Sequence, residues 1–148
     1  MRILSIVIIT ILFSIPQTKA NPNSVNLRLS FLLFPFTPLL SIESRISGSF
    51  TLQLESNFTD THGFNFKWFL NKRMQEDYLF IGTAVVSNTL LRDDGTDTFL
   101  PYAGYGFAKR FGESKNWTWD SRAGLGGTLN SENNSLYPII KTGVGRVF

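Results

Sequence analysis

The 148-residue chain has no cysteine. Disulfides, thiolate zinc sites and a lipid-bearing amino-terminal cysteine are therefore excluded. Long apolar runs are scarce as well: beyond the first fifteen residues the longest is Phe31 to Phe34, cut off by Pro35. A bilayer-spanning helix needs about 20 apolar residues, so none follows that point. No segment of ten residues carries helical periodicity. Net charge is also small. The chain has 14 basic and 11 acidic residues; setting aside Arg2 and Lys19 of the leader leaves 12 against 11, an excess of +1. A balance of that kind gives no electrostatic footprint for nucleic acid.

At the amino terminus Met1 and Arg2 precede the apolar stretch Ile3 to Ile15. Pro16 breaks it, and Thr18-Lys19-Ala20 offers a small-residue cleavage site. Residues 1–20 read as a secretory signal peptide, leaving 21–148 as one domain. An exported domain of this size without disulfides must be held together otherwise. A closed β-barrel does this, because every strand is paired and no edge remains.

The rest of the chain alternates with period two. Val25 to Phe34 places Val25, Leu27, Leu29, Phe31 and Leu33 opposite Asn26, Arg28 and Ser30. Pro35-Phe36-Thr37-Pro38 reads as a tight connection, since Pro cannot donate to a strand ladder. Strands are expected over Leu40 to Ser47, Phe50 to Phe58, Phe64 to Leu70, Tyr78 to Ser87, Phe99 to Phe111, Trp117 to Leu129 and Tyr137 to Phe148. Gly82 favours its own face of the fifth strand as the inner one. The polar stretches Thr59 to Gly63, Lys72 to Asp77, Asn88 to Thr98 and Asn130 to Ser135 read as loops and turns. The fold class expected is all-β: an eight-stranded antiparallel up-and-down transmembrane barrel.

The last strand, YPIIKTGVGRVF, ends on Phe148, with Val144, Thr142 and Ile140 on the same face and Arg146 as the one misfit. It resembles the closing strand of bacterial outer-membrane β-barrels, where a terminal Phe, alternate apolar residues and a Gly six from the end are read by the barrel-insertion machinery. Gly143, Val144 and Phe148 match that pattern. The resemblance implies export to the outer membrane of a bacterium, with outer-membrane lipid and the insertion machinery as partners. It supplies no partner for the surface loops, and no catalytic residue, cofactor or metal.

If the polar face turns inward, the lumen collects Arg28, Arg45, Lys67, Arg110, Arg122 and Lys141 with Glu43, Glu55 and Asp120. Six bases facing three acids require each carboxylate to serve several partners, with Asn26, Gln53, Asn57 and Asn65 adding hydrogen bonds. Such a lumen is plugged, and the protein reads as a non-catalytic envelope component with short surface loops. Two alternatives stand beside it. A lipid-modifying outer-membrane hydrolase would use Ser and His, yet His62 reads as a loop residue with Ser56 six positions away. A soluble exported lipocalin-like binder of an apolar ligand would turn the hydrophobic face inward.

The glycine pairs Gly104-Tyr105-Gly106, Gly124-Leu125-Gly126 and Gly143-Val144-Gly145 lack the βαβ context of a dinucleotide site. They read instead as relief of crowding on the inner wall.

Overall fold

An extended backbone sends successive side chains to opposite faces, so strict apolar/polar alternation is satisfied when the two faces meet different surroundings. The computed structural model describes residues 25–33, 36–71, 76–87, 97–128 and 135–148. They form β1 (Val25–Leu33), β2 (Phe36–Ser47), β3 (Phe50–Ser56), β4 (Thr61–Phe69), β5 (Glu76–Ser87), β6 (Asp97–Phe111), β7 (Trp117–Gly127) and β8 (Leu136–Val147). Each strand pairs antiparallel with the next, and β8 returns to β1 to close an up-and-down barrel. The described residues contain no helix. The expected signal segment 1–20, Phe34 and Pro35, and most of the loops expected at 88–98 and 130–135 lie outside the described residues.

The even strand count brings both ends of the barrel chain to one end of the cylinder. There the amide of Phe148 donates to the carbonyl of Val25 (2.9 Å) and that of Val147 to Asn116 (2.7 Å). This terminal end carries the connections at 48–49, 70–75 and 112–116. The opposite, loop end carries those at 34–35, 57–60, 88–96 and 128–135.

Several expected boundaries are corrected. Pro38 is not in a connection but in β2, opposite Phe31. The β2–β3 ladder begins only at Leu40 and Ser56, so at Pro38 the strand has a neighbour on one side alone. Pro101 sits opposite Thr83, one residue beyond the β6–β7 ladder, and Pro138 opposite Leu125, beyond the reach of β1. All three prolines occupy positions where an absent N–H breaks no two-sided pairing.

Phe58 leaves β3 for a tight turn with a positive φ of 65°. That turn is organised by Asn57, whose Oδ1 accepts the amides of Thr59, Asp60 and Thr61 at 3.0, 3.0 and 2.9 Å. Side-chain capping of this kind shortens the expected loop. His62 consequently belongs to β4, as does Thr61, while Glu76 and Asp77 lengthen β5 and Asp97 and Thr98 lengthen β6.

Burial gives the two faces their direction. Inward positions of β5 are Tyr78, Phe80, Gly82, Ala84 and Val86, and those of β7 are Thr118, Asp120, Arg122 and Gly124. On the outer wall the large apolar side chains stand exposed: Ile81 is 63 %, Leu125 56 % and Leu54 51 % accessible. Of the buried aliphatic residues, Leu32, Leu39, Ala84, Val86, Leu100 and Ile139 gather toward the loop end, while Ala108 and Val147 lie toward the terminal end.

Between β5 and β6 the inward aromatic rings lie opposite glycines, with Tyr78 facing Gly106, Phe80 facing Gly104 and Tyr102 facing Gly82. A Cβ at Gly106 would fall 2.3 Å from the Tyr78 ring. The glycine pair of β6 thus makes room for rings that fill the lumen.

Candidate functional site

Among the described residues the lumen concentrates the buried ionisable side chains, and two ion clusters occupy it. In the first, Glu43 receives Arg28 at 2.8 Å and Lys67 at 3.1 Å. Asp120 faces the same two cations, each at 3.1 Å. Thr51 donates to Glu43 Oε1 (2.7 Å) and the Tyr78 hydroxyl to Asp120 Oδ2 (2.8 Å). The second cluster has Glu55 as its single acid. Its Oε2 accepts Arg122 at 2.5 Å, its Oε1 is ion-paired with Lys141, and the Tyr102 hydroxyl donates to Oε1 at 3.1 Å. Arg122 also donates to Gln53 Oε1 at 2.9 Å.

These ions come from strands β1, β2, β3, β4, β7 and β8, so the clusters tie opposite walls together. Arg28, Glu43, Glu55, Lys67, Asp120, Arg122 and Lys141 are all buried. Each acid pairs with two bases, which is how three carboxylates stabilise four cations removed from water. Rings complete the coordination: Lys67 Nζ stands 4.8 Å from the Tyr78 ring centre, Lys141 Nζ 5.1 Å from Tyr102, and the Arg122 guanidinium 5.4 Å from Phe80. Cations over ring faces gain electrostatic attraction that grows on desolvation.

Three expected members stand outside the two clusters. Arg45, at the terminal end, uses Nε to donate to the Gly48 carbonyl at 2.7 Å. It is held there because β2 bulges between Arg45 and Ser47. Arg110 is half-buried at the same end and makes none of the ion pairs described above. Asn57 is not a lumen residue, since its amide is spent on the β3–β4 turn. Asn26 does lie inside, exchanging hydrogen bonds with Thr118 at 3.2 and 3.3 Å. Asn65 is fully buried in the lumen.

Tyr78, Tyr102 and Thr51 are the members that sequence reasoning missed. Their signal was parity: Tyr78 shares a face with Gly82, Tyr102 with Gly104 and Gly106, and Thr51 with Gln53 and Glu55.

The assembly residues lie on β8 and just past it. Gly143 faces inward beside Ser30, and Val144 is exposed on the outer wall. Arg146, the misfit, also points outward yet is only 3 % accessible. Its guanidinium lies 5.9 Å from the Trp117 ring and 5.6 Å from that of Phe148. Two rings flank the charge, so the alternation survives the substitution.

A second constellation sits on the outer wall at the loop end. The Asn57 turn makes Ser56 and His62 direct cross-strand partners. Ser56 Oγ and His62 Nδ1 are 2.9 Å apart, and the amide of Phe58 donates to the same Oγ at 2.8 Å. Leu27, Leu40, Ile42, Leu54 and Phe58 form an apolar groove of about 180 Å³ against Ser56. Spacing in the sequence did not announce this pair, because only a four-residue connection brings it into register.

Comparison with known proteins gives this chain no relative to be placed beside: no family model, no curated protein and no solved structure matches it.

Proposed function

We propose that this protein is an integral outer-membrane β-barrel, an exported, non-catalytic envelope component whose lumen is plugged. The observation that carries the reading is the direction of the two faces. Charged and hydrogen-bonding side chains are buried inside, while leucine, isoleucine, phenylalanine and tryptophan face out around the cylinder. Such a wall, in water, would expose apolar surface far beyond the few hundred Å² that soluble monomers tolerate; against lipid it is matched. A lipocalin-like binder needs the opposite arrangement, an apolar lumen open to a ligand.

On this reading the terminal end is periplasmic, the loop end faces the cell exterior, and lipid and the insertion machinery are the partners. Membrane fractionation tests it. The mature protein is expected to stay in the membrane through carbonate and urea washing, and release into the soluble fraction would overturn the proposal.

The Ser56–His62 hydrogen bond favours a second reading, a lipid-modifying hydrolase. A serine hydroxyl bonded to an imidazole, at the rim of an apolar groove, has the form of a nucleophile beside its base. Loss of ester hydrolysis of acyl lipids in both Ser56→Ala and His62→Ala proteins, with the barrel intact, would establish it; absence of hydrolysis by the wild type would dismiss it.

A further inference from the structure

Basic side chains outnumber acidic ones in the lumen. Near the terminal end Arg28, Lys67 and Arg110 face Glu43 and Asp120, an excess of one positive charge. Both acids are already committed: Glu43 Oε2 to Arg28 and Lys67, Glu43 Oε1 to Thr51, and Asp120 Oδ2 to Arg28, Lys67 and Tyr78. Arg45 is turned to the Gly48 carbonyl.

Between Arg28 and Arg110, walled by Asn26, Thr118, Glu43 and Phe69, lies a cavity of about 20 Å³. A void needs about 10–15 Å³ on this measure to hold one water-sized particle, so a single small species fits and a polyatomic ion does not. Arg28 and Arg110 each have a buried Nε with no hydrogen-bond partner among the described residues. A buried charged donor without an acceptor is among the costlier arrangements in a protein interior. An acceptor that also carries negative charge removes both deficits, whereas water removes only one.

We infer that this cavity is a binding site for one small monovalent anion, of the halide class, held between the guanidiniums of Arg28 and Arg110 with Asn26 and Thr118 as its neutral wall. Phe69 covers one side, which lowers the local dielectric and strengthens the attraction. The site belongs to the barrel interior and stands whichever solvent meets the outer wall, so its failure would leave the membrane reading untouched.

Anomalous diffraction from the folded protein crystallised in sodium bromide tests it directly. The expected result is a bromide peak in contact with both guanidiniums; density there without anomalous signal would be water and would overturn the inference. In solution, the unfolding midpoint is compared in chloride and in gluconate at equal ionic strength, which removes general screening. Chloride is expected to raise it saturably, by about 5 °C at ten times the half-saturating concentration, and the Arg110→Gln protein should lose this difference while remaining a folded barrel. An equal response of Arg110→Gln and wild type, or no chloride-specific response in the wild type, would count against the site.

Discussion

The two ion clusters of the lumen solve the same problem with different margins. Around Glu43 and Asp120, two acids share two cations, and either acid still touches both when the other is gone. Around Glu55, one acid carries two cations alone. The first cluster is redundant and the second hangs on a single side chain. The difference teaches that counting ion pairs says little about vulnerability in a buried network, where the cost of a substitution is set by what is left unpaired.

The largest effect should therefore come from Glu55→Gln, which strands Arg122 and Lys141 inside the barrel. Breaking a buried pair from one side typically costs about 3–5 kcal/mol, and here two cations are affected. The expected outcome is a barrel that refolds poorly in detergent and unfolds far below the wild type in urea. Replacing both cations in the same protein, as Glu55→Gln with Arg122→Met and Lys141→Met, should restore much of the loss, because the stranded charges are then absent. A triple variant no better than the single one would break the comparison.

Glu43→Gln should be milder, costing about half as much or less, since Asp120 stays at 3.1 Å from both Arg28 and Lys67 and the amide can still accept from Thr51. Equal urea midpoints for Glu43→Gln and Glu55→Gln would show that redundancy does not protect the first cluster. The same network accounts for a closed lumen. Eight strands leave an interior just wide enough for side chains to fill, so the wild type in a planar bilayer is expected to show no steady conductance, with openings becoming frequent first in Glu55→Gln.

The smallest effect concerns the chain end. Phe148→Ala keeps the backbone hydrogen bond donated to the Val25 carbonyl but removes one of the two rings flanking Arg146. A cation–π contact is worth about 0.5–1 kcal/mol at a half-exposed position, so stability should fall slightly while Trp117 continues to cover the charge.

Much of this arrangement was legible in the sequence, and for one reason: period two is a strong constraint. It assigned Arg28, Glu43, Glu55, Lys67, Asp120, Arg122 and Lys141 to a common face. Parity says which wall a side chain joins but nothing of which partner it meets across the lumen. Lys67 and Asp120 lie 53 residues apart and Arg122 and Glu55 67, and their contact depends on stagger around the closed cylinder. The tyrosines went unread because parity with Gly82 and Gly104 places their rings on the inner wall but does not show that their hydroxyls reach carboxylates across the lumen. Pro38 was misread because a proline's tolerance depends on where the neighbouring ladder stops. His62 was misplaced because Asn57 compresses the turn before it.

The central claim, an apolar wall against lipid around an ionic core, is tested most directly by fluorescence. Trp68, Trp117 and Trp119 are the chain's three tryptophans, and all point outward by the parity of β4 and β7. The protein reconstituted into vesicles of phospholipid brominated along the acyl chain should lose a large share of its tryptophan emission relative to unbrominated vesicles of the same composition. Emission that stays unchanged, with the protein recovered in the aqueous phase, would contradict the account.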